Sequence, residues 1–337
     1  MATPIVVTHP ELFHYTGIEG LEGIINTQTL WATHFEFSND TSEFRAFGER
    51  LPDILRQKVT SAVEELIRLT PANRALIEQQ GGKDKAVEVI LDWIKNGIYG
   101  TLLGTDDTEP FVEPYITSFC TTTDEEDIAQ HGLLSQWRGY GQEGGYAIVF
   151  DTARLELLLH EESEKWAYSI IGGADVIYSS DKDERIREEF GDSMDKLAES
   201  FFDFLTTGDP SSLKNTFETF TGCAFRYKHG GFHEEKEVRI VAIPLNRKLL
   251  AEAKASGQVS AEKPRKAFPR SGTAVPCIHL FEEITQLPQK PLPIKRIIIG
   301  PHRDKSNRQR SVKIMLDQHG LDIPVLVSGI PYVGHST

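Results

Sequence analysis

The sequence predicts an α+β fold, a single mixed β-sheet core with helical insertions. Three observations carry this. Strand-like segments stand at both ends of the chain, helix-period segments fall in two blocks at about 50–100 and 180–222, and strict β-α-β alternation is missing.

Each element has its own signal. Leu12–Thr16 is short, apolar and aromatic, a first strand, and Ile18–Ile25 carries apolar residues at helical spacing. Leu30–Phe37 alternates and reads as extended. Asp53–Leu69 and Asp84–Lys95 are amphipathic helices, and Tyr115–Thr122 and Gly145–Asp151 are strands. Asp151 is placed to cap a helix that follows it. Ala174–Tyr178 is a short strand, and Asp183–Leu205 and Ser212–Cys223 are helices. Glu237–Pro244 is the clearest strand of the second half. Lys254–Ser271 is polar and basic, a loop. Val275–Phe281 and Ile294–Gly300 are strands, Asn307–His319 is a helix stopped by Gly320, and Pro324–Ser328 closes the sheet.

The chain has 337 residues, enough for roughly two average domains or one large core with insertions. The grouping of the helices favours one α+β domain over 1–337. Its 36 basic and 50 acidic residues give a net charge of −14, which argues against broad binding to a phosphate backbone but leaves room for a local basic groove. The three cysteines are far apart and form no C-x-x-C pair, so neither a zinc site nor a disulfide framework is expected. With no signal-peptide pattern and no apolar run of membrane-spanning length, the expected setting is the cytoplasm, with no membrane partner.

Gly139, Gly141 and Gly144 spell G-x-G-x-x-G, the dinucleotide-binding fingerprint. The fingerprint has meaning only between a strand and a following helix, whose N-terminus faces the pyrophosphate. Here helix-like residues precede the glycines and a strand follows. The stretch therefore reads as a helix stop and a turn. The metalloprotease, zinc-deaminase, nucleophile-elbow and P-loop patterns are all missing.

Four other constellations bear chemistry, each beside a plainer reading. His14-Tyr15-Thr16 lies on an apolar strand, where a core histidine is the plainer reading. Asn39-Asp40-Thr41-Ser42-Glu43 is also an ordinary turn and helix cap. Trp137 and Tyr140 share a helical face, usual for core aromatics. On a strand, Glu235, Glu237 and Arg239 point to one face, opposite Val238 and Ile240. A solvated ion pair is the plainer account of that row, and a pair of carboxylates beside an arginine also suits a site that stabilises a developing cation.

At these residues the sequence resembles a largely bacterial family, domain of unknown function 2971. The matching motifs are Phe13-His14-Tyr15-Thr16, Asn39-Asp40-Thr41-Ser42-Glu43 with Thr41 where the family has Pro, and Ser118-Phe119-Cys120. Trp137, Tyr140 and Gly141 follow, running into Gly145, Ile148 and Phe150. Then come Lys228, Glu235, Glu237 and Arg239, and finally Ile298, Ile299, Gly300, Ser328, Ile330, Pro331 and Tyr332, with Val333 in place of a frequent Arg. The motif order also resembles, more distantly, that of ADP-ribosyltransferases, which implies a split sheet and NAD as substrate, with no metal. On that resemblance Glu237 stabilises an oxocarbenium-like ribose and Glu235 orients an acceptor. His14 holds the adenosine ribose, and Tyr15 or Tyr140 stacks the nicotinamide. Thr16, Asn39, Ser118, Trp137, Lys228 and Arg239 complete the expected substrate-binding set. The expected activity is NAD-dependent ADP-ribosyl transfer to a macromolecular acceptor, protein or nucleic acid, in a toxin or anti-phage effector. NAD hydrolysis and a non-catalytic nucleotide sensor are the alternatives. His14 and Glu237 facing one pocket is the geometric requirement of the enzyme reading.

Overall fold

A computed structural model describes residues 5–38, 41–103, 112–121, 126–140, 144–179, 183–207, 220–257 and 260–331. In chain order the elements are α1 (Ile5–Thr8), β1 (Glu11–Thr16), α2 (Ile18–Thr27), β2 (Leu30–His34), α3 (Thr41–Leu69), α4 (Pro71–Gln79), α5 (Gly82–Leu103) and β3 (Tyr115–Cys120). Next come α6 (Glu126–His131), α7 (Leu134–Tyr140), β4 (Tyr146–Asp151), α8 (Thr152–Lys165), β5 (Tyr168–Asp175), β6 (Ile177–Tyr178), α9 (Asp183–Thr207) and β7 (Tyr227–Lys228). The chain continues with β8 (Glu237–Pro244), α10 (Arg247–Ala255), β9 (Lys266–Arg270), β10 (Thr273–Leu280), β11 (Ile294–Ile299), α11 (Lys305–Gln318) and β12 (Val325–Val327).

The α+β class holds, with one large, mostly antiparallel mixed sheet. The chain divides into two compact units. The first is formed by Met1–Ser38, Pro114–Val176 and Phe232–Thr337, and the second by Asn39–Glu113 and Ile177–Gly231. The two helical blocks are thus the two halves of one unit, brought together by their apolar stripes. Phe47, Leu51, Leu55, Val59 and Val63 are buried at every fourth position of α3. That spacing keeps them on one face of the helix. Phe47 meets Phe190, Phe220 and Tyr227 at ring-centroid distances of 6.0, 5.6 and 5.4 Å. Arg50 donates to the Tyr227 hydroxyl at 2.8 Å. Of the expected helix Ser212–Cys223, residues 212–219 lie outside the described residues.

The sheet unit has strand order β12-β11-β4-β1-β3-β2-β10-β9, with β8 on the other edge of β3 and β5 beyond β8. β4 is buried from Tyr146 to Phe150, which matches its continuous apolar run. The larger core lies on one face, where Leu21, Ile24 and Ile25 of α2, Leu155 and Leu158 of α8, and Val312 and Leu316 of α11 cover Leu12, Phe119, Ile148, Phe150, Val238 and Ile297. The second face carries Phe13, Tyr15, Cys120, Ala147, Val149 and Ile298 beneath Trp137.

β3 is where the sheet forks. All six of its residues pair with β8, from Tyr115↔Ala242 to Cys120↔Glu237. Its other edge is shared: β1 pairs only at Phe13↔Cys120, while β2 pairs at Thr33↔Ile116 and His34↔Tyr115. Two side chains clasp the gap between them. The Thr117 hydroxyl donates to the Trp31 carbonyl at 2.7 Å, and His14 Nδ1 donates to the Ser118 carbonyl at 3.0 Å. Backbone groups that no strand reaches thereby find partners.

Two local readings are corrected. The basic segment expected to be a loop holds the end of α10 and the strand β9. Ser271 at φ 48° and Gly272 at φ 78° form the turn that folds β9 onto β10. The expected strand Ala174–Tyr178 is divided: β5 ends at Asp175, and Ile177–Tyr178 pairs in parallel with β7 in the other unit.

One buried acid ties four segments of the sheet unit. Glu162 of α8 accepts from the Tyr168 hydroxyl at 2.7 Å and from the Phe281 amide at 2.8 Å. Lys263 Nζ lies 2.5 Å from its Oε1, and both side chains are 0% exposed. Burial pulls the Lys263 ammonium below the ordinary lysine range, opposed by the Glu162 charge. Phe281, fully buried, sits at φ 68°, a conformation that costs about 1–2 kcal/mol in an L residue and that the Glu162 bond helps to hold. Replacing Glu162 by Ala leaves Lys263 buried without its counter-ion. We expect a loss of about 3–5 kcal/mol in urea unfolding. The double change Glu162→Leu, Lys263→Met should be far milder, and equal losses in the two variants would refute this role.

Candidate functional site

Glu237 and Arg239 face one way on β8, as their alternation requires, but that face is not open. Arg239 Nε donates to Glu237 Oε1 at 2.7 Å and Nη2 to Oε2 at 3.1 Å, and both side chains are 3% exposed. The expected solvated row is therefore a buried bidentate pair. Glu235 does not belong to it. It ends the 3₁₀ turn Gly230–Glu235, and Lys236 at φ 44° turns the chain before the strand begins. The two-residue period cannot run back through that turn.

Strand register fixes what shares the face. Cys120 lies opposite Glu237, and Ser118 opposite Arg239. Phe13 lies opposite Cys120. Directly paired residues project to the same side of a sheet, and neighbours along a strand to opposite sides. Phe13, Tyr15, Cys120, Glu237 and Arg239 are thus on the second face. His14 and Thr16 are on the first, with Leu12 and Phe119. The His14 and Phe119 rings are 5.7 Å apart. His14 and Glu237 therefore leave the sheet on opposite sides, and the requirement that they face one pocket is not met.

His14 is a half-buried clasp of the fork. A carbonyl oxygen only accepts, so the proton sits on Nδ1. Burial lowers the His14 pKa, partly offset by that hydrogen bond to Ser118.

Tyr15 and Trp137 do come together, edge to face, with centroids 4.8 Å apart at 76°. The Tyr15 hydroxyl accepts from the Leu133 amide at 2.8 Å, and Trp137 Nε1 donates to the His131 carbonyl at 3.0 Å. Burial pushes the Tyr15 hydroxyl pKa up. Glycine makes room for the indole: a Cβ on Gly132 would meet the Trp137 ring at 2.5 Å, and one on Gly300 at 2.8 Å.

The glycine-rich stretch is a connection from α7 into β4. Gly144 has φ 95°, and a Cβ there would lie 2.9 Å from the Pro301 carbonyl. Turn geometry and close backbone approach account for it, and no helix follows the loop to face a pyrophosphate. Gly141 lies outside the described residues.

The remaining expected residues are scattered. Tyr140 ends α7 and is 42% exposed. Thr16 ends β1, with its Oγ1 2.0 Å from where a Cβ on Gly20 would be. Lys228 is buried on β7, in the other unit. Asn39 lies outside the described residues. Cys120 belongs to the Ser118-Phe119-Cys120 motif but was not among the expected site residues. Its signal was its place beside Ser118 on a strand, but only the pairing with Glu237 gives it meaning. Among the described residues no group of three or more His, Cys, Asp or Glu could hold a metal ion, and no helix is long and apolar enough to cross a membrane.

Two predictions follow from burial. Glu237→Ala strands a buried guanidinium, so unfolding free energy should fall by about 3–5 kcal/mol. An exposed pair would cost about 0–1 kcal/mol, so a loss of that size in urea titration would contradict the buried geometry. The second concerns pH. His14 is depressed by burial, and His279, stacked on Trp31 at 5.1 Å, is depressed to about 4 by burial and then by Lys266. An unfolded histidine titrates near 6.5. Between about pH 4 and 6.5 the unfolded chain binds more protons than the folded one. Stability therefore rises with pH across this window and is lost as pH falls through it. His279→Gln should flatten the slope of melting temperature against pH between 4.5 and 7, and an unchanged slope would rule its contribution out.

The comparisons with known proteins meet this geometry in one segment. The family model described as Protein of unknown function (DUF2971) matches residues 136–240, from just before Trp137 to just past Arg239. No curated protein and no solved structure matches the chain. Residues 136–240, which hold most of α7, β4, β5 and the charged end of β8, are thus similar to that family.

Proposed function

We propose that this protein is a non-catalytic nucleotide-binding sensor module whose ligand is recognised on the Tyr15–Trp137–Arg239 side of the sheet. The observation that carries this reading is the Glu237–Arg239 pair. Both carboxylate oxygens of Glu237 are taken by one guanidinium. A carboxylate so neutralised and buried offers little charge to a developing ribosyl cation. Aromatic groups beside a fixed polar pair suit the recognition of a planar molecule with polar substituents. NAD is the ligand to test, with no metal required.

A second reading, NAD-dependent ADP-ribosyl transfer to a protein or nucleic acid, or NAD hydrolysis, is favoured by the fork at β3. It accords with the split sheet that the ADP-ribosyltransferase resemblance implies. In this reading Glu237 acts without His14, after an incoming ligand draws Arg239 away. Toxin or anti-phage roles belong to this reading, as does a cytoplasmic site of action.

One experiment separates the two. Labelled NAD is incubated with the protein, alone and with cell extract, while binding is measured by calorimetry. The sensor reading expects heat of binding, intact NAD and at least a tenfold loss of affinity in Arg239→Gln. Consumption of NAD that Glu237→Gln abolishes, in a variant that still melts cooperatively, would replace it with the transferase reading. No binding and no consumption would sink both.

A further inference from the structure

We propose that Ser328–Pro331, the segment that follows β12, is a lid over the Tyr15–Trp137 floor, opening locally to admit the flat ring of a ligand. That the ring belongs to a nucleotide rests on the function proposed above; the lid itself does not.

The segment is held chiefly at Ser328, which is buried. The Ser328 amide donates to the Ile299 carbonyl at 2.8 Å, and its hydroxyl donates to the His131 carbonyl at 2.7 Å. The Gly329 amide donates to His131 Nδ1 at 3.2 Å, and Lys305 Nζ donates to the Ser328 carbonyl at 2.7 Å. A Cβ on Gly329 would lie 3.1 Å from the imidazole, so glycine allows this close approach. One apolar side chain completes the contact: Ile330, half-buried, packs against the cluster of Phe13, Tyr15, Cys120 and Trp137. Gly329 and Pro331 are exposed. Beyond the buried Ser328, Gly329–Pro331 is tied down by the Gly329 bond and the Ile330 side chain, and such a stretch opens at lower cost than the sheet beneath it.

What lies beneath has ties of its own. The Tyr15 hydroxyl and the Trp137 indole nitrogen are bonded to the backbone of Leu133 and His131, and the His131 carbonyl that holds Trp137 also accepts from Ser328. Next to them on the same face is Cys120, opposite Glu237 in register. Ile330 and Leu133 cover this cluster, and displacing Ile330 bares its side of an aromatic floor on the face that carries the Glu237–Arg239 pair. That combination suits a flat ring with polar substituents.

Alkylation by iodoacetamide, mapped by peptide mass spectrometry, reads the lid without any ligand. Cys120 reports its opening. Cys277, buried in β10 of the same unit, reports loss of the fold. Ser328→Ala and Ile330→Ala should each speed Cys120 alkylation about tenfold, the factor that 1.4 kcal/mol gives, with Cys277 unchanged. An unchanged Cys120 overturns the lid. If both cysteines accelerate together the variant has lost its fold, and hydrogen exchange of the wild type then decides. The lid requires the Gly329 amide to exchange faster than the β4 amides, with little dependence on low urea. Exchange in step with β4 overturns it. Saturating NAD should slow Cys120 alkylation in the wild type. Calorimetric NAD binding without that protection keeps the nucleotide reading and overturns the lid as its entrance. A lid that opens with no response to NAD stands, and the nucleotide reading falls.

Discussion

β3 is six residues long, and three strands hydrogen-bond to it. It gives the whole of one edge to β8 and divides the other between β1 and β2. Two wings of the sheet therefore meet through one short strand. The division leaves Thr117–Phe119 without a ladder on that side, and side chains must supply what backbone pairing does not. Thr117 and His14 do this by bonding carbonyls across the gap. The apolar layer of α2, α8 and α11 then covers the first face on both sides of the fork.

Buried charge is the second constraint. Glu162 with Lys263, and Glu237 with Arg239, are each enclosed in the sheet unit. Such pairs contribute little net stability compared with apolar packing, yet breaking one is costly. Their value lies in geometry. Glu162 fixes the end of β10 against β5 and α8. Glu237 and Arg239 fix a charged point on a face otherwise lined by Phe13, Tyr15, Cys120 and Trp137. In that geometry each Glu237 oxygen accepts from the guanidinium of its own strand.

Histidine plays a different part at each position. At position 14 a protonated Nδ1 meets a carbonyl, and at position 131 an unprotonated Nδ1 receives an amide. The partner dictates the tautomer in each case. One histidine joins two strands at the fork, and the other holds Gly329 beside the Tyr15–Trp137 cluster.

Patterns that depend on neighbours along the chain were legible in the sequence. The alternation of β8 put Glu237 and Arg239 on one face, and Asp151 caps α8 through the Arg154 amide as expected. The order of helix, glycines and strand excluded a Rossmann loop. The helical period marked α3 and α5. Patterns that depend on neighbours across the sheet were not legible. Which face of β8 is covered, which side of β1 His14 takes relative to Glu237, and where Glu235 leaves the row are all set by register and by one left-handed residue, Lys236. A strand's period assigns residues to two faces, but only its pairing partners say which face of the sheet each becomes. That is why the sequence by itself determined the α+β class and the candidate residues, and why the tertiary structure alone decided which of them meet.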